Sequence, residues 1–396
     1  MTLARPGLQP HFIIVAWGIV PGGTLSVLRE WVPRLQRHGR VSVVSLGPNR
    51  SSLGVPTVVI GRRASHPFRF PQVIGYVLRM AWASARAARD RGAVLIPQDG
   101  LATGAAALIA ARFTGAQLAV MEHGSAEAIR TERFWRERYP PAGLAGGIRG
   151  RLLQRLLRGL STAVVRRTDV ALIAGDEAET TYLALGIDPS RILRYRFAVD
   201  LERFHPPSGS ERAEARRRWD LDADAPVVIS VGRLSVEKGL DLLLAAAAGR
   251  PRATFLVAGD GPLRAQLERS APPNVRFLGR LERDEVASLH RSADGFVYAG
   301  RQGANTPYAV LEAMASGLPV VATTAPEAHR AMLADGRGIA VEPDDAAGLA
   351  NGIHRLLADA DLRASMGAAA RAYVETNHAP DQLDEAVRAF AQRVTR

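Results

Sequence analysis

The sequence predicts an α/β fold in which two parallel β-sheets carry helices on both faces. Short apolar runs alternate with glycine-containing turns and helical segments along the chain, as they do in doubly wound sheets. A segment rich in Pro, Ser and Gly at 206–209 divides this pattern into two halves. The 396 residues are enough for two domains with separate cores. We therefore predict an N-terminal domain at 1–203 and a C-terminal domain at 204–377.

The elements of the first domain follow this alternation. Its predicted strands are HFIIVAWG from His11, VSVVSLG from Val41, PTVVIG from Pro56, AVLIPQ from Ala93, QLAVMEHG from Gln117 and DVALIAG from Asp169. Its predicted helices are LSVLREWVPRLQRHG from Leu25, RMAWASARAARDRG from Arg79 and GLATGAAALIAARFTG from Gly100. Because helices separate the strands, we expect crossover connections and parallel strand pairing.

The second domain begins with the most informative segment, VVISVGRLSVEKG at Val227–Gly239. An apolar strand leads into Gly232 and Arg233, and Lys238 follows five residues later, just before a helix. This spacing brings a guanidinium and an ammonium to one anion beside a helix N-terminus. Arg233 can bind two phosphate oxygens and Lys238 adds a point charge, so a diphosphate is the expected ligand. The alternative is that both are solvated loop charges.

Further strands and turns follow in a fixed order. ATFLVAG precedes DGPLRAQL, in which Gly259 and Gly261 form a second strand-to-helix turn, and NVRFLGRL, DGFVYAG and TPYAVLEAMASGLPVVAT come next. With this order the chain resembles the retaining glycosyltransferases of family 4 (glycosyl transferases group 1), most closely from Val227 to Thr323. The resemblance implies the GT-B fold, in which two Rossmann-like domains face each other across a cleft. It also implies a C-terminal helix, within 378–396, that packs back on the N-terminal domain.

The resemblance implies an enzyme that moves a hexose from a nucleotide-diphosphate donor to an acceptor hydroxyl. The C-terminal domain would bind the nucleotide sugar, and the N-terminal domain would bind an acceptor glycan, lipid or small molecule. The implied donor-binding residues are Gly22, Gly23, Gly232, Arg233, Lys238, Gly259, Arg280, Thr306, Tyr308, Ala309 and Glu312. The implied catalytic residues are His123, Arg233 and Lys238. The acceptor would belong to a cell-envelope glycan or lipid, or to a secondary metabolite.

Three of these assignments have structural alternatives. Glu312 is expected at the start of a helix, where its carboxylate would accept hydrogen bonds from the ribose or, alternatively, complement the helix dipole. His123 follows a predicted parallel strand at the edge where ligands bind, although a strand-end histidine is often only a surface residue. Gly22 and Gly23 would approach the diphosphate or simply form a helix-entry turn capped by Thr24.

The sequence also departs from the family pattern at two places. Ala304 stands where the family usually carries the first acid of a Glu–seven–Glu motif, so the sugar pocket is altered, with Gln302, Asn305 or Thr306 as neutral replacements. Phe197–Ala198 replaces the usual Asn–Gly of the interdomain crossover.

Two rival functions stay open. One is a sugar-nucleotide epimerase of the same fold, which would need acids at the sugar, so Ala304 argues against it. The other is a degenerate, non-catalytic nucleotide-sugar-binding paralogue, which Ala304 favours and the intact Arg233, Lys238 and Glu312 disfavour.

Composition limits the cofactors and partners. The chain has no cysteine, and Asp220, Asp222 and Asp224 precede a strand, where turn carboxylates explain them better than a metal site. We expect no metal and no cofactor beyond the nucleotide sugar. The net charge of +12 favours anionic partners, yet we find no nucleic-acid-binding module.

Two basic segments predict peripheral contact with an anionic membrane. They are GRRASHPFRFPQ from Gly61 and GIRGRLLQRLLRGL from Gly147, which mix arginines with apolar residues. The alternative is an ordinary domain helix with snorkelling arginines. No apolar run is long enough to span a bilayer, and the N-terminus reads as a first strand rather than a signal peptide. We expect a cytoplasmic protein, either free or bound at the inner face of the plasma membrane.

Overall fold

The structure, a computed structural model, describes residues 9–17, 23–47, 53–60, 70–122, 148–301, 307–325 and 328–395. The chain divides into two compact units. Unit 1 comprises Met1–Arg196 and Asp381–Arg396, and unit 2 comprises Phe197–Pro380. The division after Arg196 lies slightly upstream of the predicted 203/204 boundary.

Unit 1 contains a seven-stranded sheet in the order β3-β2-β1-β4-β5-β6-β7. Its strands are β1 (His11–Ala16), β2 (Arg40–Ser45), β3 (Thr57–Val59), β4 (Ala93–Pro97), β5 (Gln117–Glu122), β6 (Val170–Ile173) and β7 (Ile192–Arg194). Its helices from the first segment are α1 (Gly23–Gln36), α2 (Phe70–Ala87), α3 (Ala102–Thr114), α4 (Ile148–Arg167) and α5 (Asp176–Ala184). Every pairing is parallel. The six predicted strands are therefore confirmed, and β7 is an additional edge strand.

The C-terminal helix α14 (Pro380–Val394) packs into unit 1. The Phe390 ring lies 5.9 Å from the Phe12 ring and 6.2 Å from the Trp31 ring, centroid to centroid, and all three side chains are fully buried. Arg34 Nε also donates to Asp384 Oδ1 at 2.6 Å. This packing confirms the predicted return of the last helix to the first domain.

Unit 2 contains a six-stranded parallel sheet in the order β10-β9-β8-β11-β12-β13. Its strands are β8 (Val227–Val231), β9 (Thr254–Ala258), β10 (Val275–Gly279), β11 (Gly295–Tyr298), β12 (Val320–Thr323) and β13 (Ile339–Val341). Its helices are α6 (Gly209–Arg218), α7 (Leu240–Ala248), α8 (Arg264–Ser270), α9 (Arg283–Ser292), α10 (Tyr308–Ala315), α11 (Ala328–Met332), α12 (Ala346–Ala358) and α13 (Ala360–Asn377). Five of the strands were predicted, and β13 was not.

The strand order of unit 2 reverses between β8 and β11. From β8 the chain continues to β9 and β10 on one side, and then crosses to β11, β12 and β13 on the other. The connections that leave β8 and β11 therefore diverge at the carboxyl edge of the sheet. In open α/β sheets this topological switch point is where ligands bind.

A buried arginine holds the acidic segment before β8. Arg216 NH1 donates to the carbonyls of Asp222, Ala223 and Ala225, while NH2 donates to Asp294 at 2.8 Å. The Asp222 carboxylate accepts the Asp224 backbone N–H at 3.0 Å. These carboxylates and carbonyls thus shape the turn that leads into the sheet.

We predict that His290 makes unit 2 sensitive to acid. Its ring is fully buried against Phe204 and Phe296, and burial lowers its pKa to about 3. Between pH 6.5 and 3 the unfolded chain binds a proton at this residue that the folded chain does not bind, so stability falls as pH falls. Between pH 7 and 4.5, the His290→Phe variant should therefore lose roughly 2–3 kcal/mol less folding stability than the native chain.

Urea unfolding at the two pH values, followed by circular dichroism, measures this effect. The matched control is His354→Gln, because His354 is exposed on the same unit. An unchanged acid sensitivity in His290→Phe would contradict the prediction.

Candidate functional site

The loop that leaves β8 carries the predicted anion-binding residues. The strand ends at Val231, and Val236–Lys238 form a short 3₁₀ turn. Gly239 follows with φ of +58°, a left-handed conformation that favours glycine, and α7 begins directly after it. Lys238 therefore lies two residues before the first residue of α7, at the helix end where backbone N–H groups lack partners within the helix.

Close backbone contacts fix this loop against its neighbours. A Cβ on Gly259, whose φ is +136°, would lie 1.8 Å from the Gly232 carbonyl oxygen. A Cβ on Gly261 would lie 2.3 Å from the Leu234 carbonyl oxygen. Hydrogen bonds from Gly232 N to Ala258 O and from Leu234 N to Asp260 O, at 2.9 and 3.1 Å, join the same two loops. The site is thus built on packed backbone rather than on a free loop.

Arg233 and Lys238 both line a pocket at the switch point. The pocket is lined by Ser230, Val231, Gly232, Arg233, Leu234, Lys238, Leu240, Val257, Tyr298 and Ala299, and so includes residues from the ends of both β8 and β11. Arg233 is exposed, whereas Lys238 is half-buried. The structure therefore brings together the two cations that the sequence predicted as partners.

Burial is the strongest influence on the pKa of the Lys238 ammonium. It lowers the pKa of the ammonium, which the Glu237 carboxylate raises in part and the Arg233 charge lowers further. Glu237 is itself held by Ser235, whose hydroxyl donates to Oε1 at 2.6 Å. A bound dianion would stabilise the charged form of Lys238 and relieve its repulsion from Arg233.

Two aromatic residues beside Lys238 were not predicted from the sequence. Lys238 Nζ lies 3.4 Å from Tyr298 Oη and 5.2 Å from the centroid of the Tyr298 ring. His329 packs edge to face on that ring at 5.3 Å, and its Nδ1 lies 2.8 Å from the Thr323 carbonyl oxygen. Burial lowers the His329 pKa to about 4, so the imidazole is neutral at pH 7 and does not repel Lys238. Tyr298 is the last residue of β11 and His329 follows β12, and these positions were the available signal.

The helix α10 places Glu312 differently from the prediction. The helix begins at Tyr308, after Pro307, so Glu312 lies in its second turn and not at its start. The prediction that Glu312 starts the helix is wrong, because the helix begins after Pro307, four residues before Glu312. Glu312 therefore lies outside the first turn, where a carboxylate would complement the helix dipole. The Tyr308 side chain is buried, with its ring centroid 5.2 Å from that of Phe197. The backbone N–H groups of Tyr308 and Ala309 belong to the first turn of α10.

Two further donor-binding candidates of unit 2, Gly259 and Arg280, lie at the same edge of the sheet. Gly259 follows β9, and its N–H donates to the Gly279 carbonyl at 2.7 Å. Arg280 follows β10 and is exposed. Thr306 lies outside the described residues, as do Gln302, Ala304 and Asn305.

The predicted site residues of unit 1 fall only partly within the described residues. His123 and Gly22 lie outside the described residues, and Gly23 is the first residue of α1. Thr24 lies inside α1, so its assignment as the helix N-cap is wrong. Glu122, at the end of β5, is fully buried and accepts a hydrogen bond from Tyr182 Oη at 2.9 Å.

The described ranges contain neither a candidate metal site nor a candidate membrane-spanning helix. No group of three or more His, Asp or Glu side chains there could hold a metal ion. None of the described helices is both long and apolar enough to cross a bilayer.

Comparisons with known proteins agree with this geometry. Residues 211–373 match the family model described as glycosyl transferases group 1. A GDP-mannose-dependent monoacylated alpha-(1-6)-phosphatidylinositol monomannoside mannosyltransferase of Corynebacterium glutamicum is 35% identical over 192 residues, which are 45% of this chain and 50% of that protein. Sulfoquinovosyl transferase SQD2 of Arabidopsis thaliana is 33% identical over 216 residues, 53% of this chain and 42% of that protein. The matches thus span about half the length of these relatives.

Solved structures resemble the whole chain at low sequence identity. HepE of Anabaena, in complex with UDP-glucose, superposes with a TM-score of 0.75 at 17% identity, over 96% of this chain and 99% of that one. Sucrose-phosphate synthase of Thermosynechococcus elongatus gives 0.76 at 19% identity, over 97% and 99%. At such identities the likeness concerns the fold.

We predict that Gly259 is essential to the stability of the site. Gly259→Ala should lower the stability of unit 2 by more than about 3 kcal/mol, because its φ is unfavourable for alanine and its Cβ would overlap the Gly232 carbonyl. Thermal unfolding measures the loss. Gly249→Ala is the control, since the nearest atom to its Cβ would be 3.7 Å away. Equal melting temperatures for the two variants would contradict the prediction.

Proposed function

Since this chain carries a glycosyl transferases group 1 domain on the GT-B fold, we propose that it transfers a sugar from a nucleotide-diphosphate donor to an acceptor hydroxyl. The observation that carries the proposal is the pocket at the β8/β11 switch point, which Arg233 and Lys238 line together. Two cations and the N-terminus of α7 meet there, and a diphosphate matches that charge.

Leaving-group stabilisation is the main contribution of these residues. As the glycosidic bond breaks, negative charge grows on the departing diphosphate. Arg233 and Lys238 stabilise it in a site whose backbone is already fixed, which is worth several kcal/mol in favourable cases. Because Lys238 is half-buried, its ammonium interacts more strongly with that charge than a solvated lysine would. In this proposal the two cations serve the purpose that a metal ion serves elsewhere.

The other residues bind and orient the donor. Glu312 accepts hydrogen bonds from the ribose, and the backbone N–H groups of Tyr308 and Ala309 bind phosphate or sugar oxygens at the N-terminus of α10. In this proposal Gly259 binds the donor, a backbone group at Arg280 reads the nucleobase, and Thr306 is a neutral group for the sugar. In the retaining reaction that we propose, the leaving phosphate takes the acceptor proton. No carboxylate nucleophile is then needed.

Unit 1 binds the acceptor in this proposal. His123 contacts the donor sugar, and Gly22 and Gly23 approach the diphosphate. Relatives named as phosphatidylinositol monomannoside mannosyltransferases support a lipid as the acceptor. The relatives named for GDP-mannose and the UDP-glucose complex of HepE make guanosine and uridine diphosphate sugars the first donors to test.

A non-catalytic nucleotide-sugar-binding protein is the second candidate. Ala304 favours it, because the carboxylate that usually contacts the sugar is absent there. The two functions differ in turnover: the second binds the nucleotide sugar but forms no product. Neither requires a further cofactor.

We predict that Arg233→Ala and Lys238→Ala each reduce sugar transfer by about 10²-fold or more, because each removes one positive charge from the leaving diphosphate. Melting temperatures should hardly change, since neither side chain belongs to the core. The measurement is mass spectrometry of products formed from a panel of UDP- and GDP-sugars with a cell extract as the acceptor source.

Arg252→Ala is the control, because Arg252 is an exposed arginine of the same unit outside the pocket. Unchanged turnover in both site variants would contradict the assignment. The same assay in excess EDTA should keep its activity. A loss that Mg²⁺ or Mn²⁺ restores would contradict the metal-independent mechanism.

An apolar stripe on α2 supports peripheral membrane contact. Ile74, Leu78 and Trp82 lie four residues apart on one helix face, and their exposed fractions are 51%, 56% and 66%. The Arg86 guanidinium lies 5.6 Å from the Trp82 ring centroid. The predicted segment from Gly61 leads into this helix and lies largely outside the described residues. The segment from Gly147 forms the first part of α4. We propose that α2 lies on an anionic bilayer at the cytoplasmic face.

We predict that the protein co-sediments with phosphatidylglycerol vesicles more than with phosphatidylcholine vesicles, and less at high salt. The double substitution Leu78→Ser and Trp82→Ser should reduce binding at least about fivefold, because it removes most of the exposed apolar area. Leu183→Ser, at an exposed leucine of α5, is the control. Equal binding by the double variant and the control would contradict the role of α2.

A further inference from the structure

Arg301 binds two acidic side chains from different parts of unit 2. It follows β11 and Gly300 in the sequence. Its NH1 and NH2 groups donate to Asp241 Oδ1 and Oδ2, both at 2.7 Å, which is the bidentate arrangement of a strong arginine–carboxylate pair. Its Nε donates to Asp344. Hydrogen bonding to Asp241 is the largest of the interactions that raise the pKa of Arg301. The side chain therefore joins the first turn of α7 to the segment after β13.

The same residue holds the turn that carries Lys238. The Arg301 backbone N–H donates to the Glu237 carbonyl at 2.9 Å, and its NH1 group lies 3.4 Å from the Val236 carbonyl. Both carbonyls belong to the 3₁₀ turn Val236–Lys238. Arg301 thus contacts this turn directly and contacts the helix that follows it through Asp241.

Tyr298, the last residue of β11, also contacts Lys238. Its hydroxyl and ring lie beside the ammonium, as described above, and Gly300 allows this placement: a Cβ there would lie 2.4 Å from Tyr298 ring atoms. The four residues Tyr298–Arg301 therefore contact both the side chain of Lys238 and the backbone that carries it. Ala299 O, 2.0 Å from a Cβ built on Gly239, completes this packing.

We infer that Arg301 is a positioning residue for Lys238: it binds no substrate and fixes the turn from which Lys238 meets the diphosphate. The inference rests on the proposed function. A purely structural role is the competing explanation, but Asp241 and Asp344 are more than half exposed, and surface ion pairs contribute little to stability. For the same reason, removing Arg301 should disturb the local turn more than the fold.

The experiment is a double-mutant cycle on nucleotide binding. Binding of UDP and GDP is measured by calorimetry for the full chain and for Arg301→Ala, Lys238→Ala and the double variant. Arg301→Ala should weaken binding of the preferred nucleotide about tenfold, and the same change in the Lys238→Ala background should have almost no further effect. Arg218→Ala is the control, because it removes the ion pair between Arg218 and Glu285, away from the site, and it should leave binding unchanged.

A second substitution keeps the test open if Arg301→Ala does not fold. Asp241→Asn breaks the bidentate pair without removing the arginine, and it should weaken binding in the same direction. Equal loss from Arg301→Ala in both backgrounds, or no loss at all, would overturn the inference while the proposed function stands. If the native chain binds neither UDP nor GDP, the proposed function fails, and the inference fails with it.

Discussion

The close backbone contact between the loops after β8 and β9 is the constraint on which the site depends. Gly259 lies so near the Gly232 carbonyl that no side chain fits between them. This contact fixes the direction in which the chain leaves β8, and hence the backbone position of Arg233. The parallel order β9-β8-β11 then supplies a second wall from the end of β11. Two cations are thereby held at one sheet edge although they approach each other unfavourably.

The proximity of the two positive charges affects how the site would bind an anion. A half-buried lysine beside an exposed arginine is destabilised in its charged form, as the lowered pKa of Lys238 records. A ligand with two negative charges relieves both the repulsion and the desolvation. Under the proposed function, such a site would gain more from a diphosphate than from a monoanion, and most when charge accumulates on that diphosphate. Selectivity and leaving-group stabilisation would then follow from the same arrangement.

Sequence reasoning predicted the long apolar strands and the Arg233–Lys238 pair, because both depend on local pattern and spacing. It missed β7 and β13, which are three residues each; β3 is equally short but lies within the recognisable run PTVVIG. It placed Glu312 one turn too early, because a proline that starts a helix was not recognised as its boundary. Tyr298 and Arg301 were missed for another reason. Their partners lie about 60 residues away, and no local pattern encodes such contacts.

The return of α14 to unit 1 has a consequence for synthesis of the protein. Unit 2 is a continuous stretch of chain, so its core can form as soon as that stretch is complete. Unit 1 cannot finish its core then, because Trp31 and Phe12 are covered by Phe390. Until that helix is made, an apolar surface that forms early in translation stays exposed and open to aggregation. The N-terminal unit is thus first to be synthesised and last to be completed.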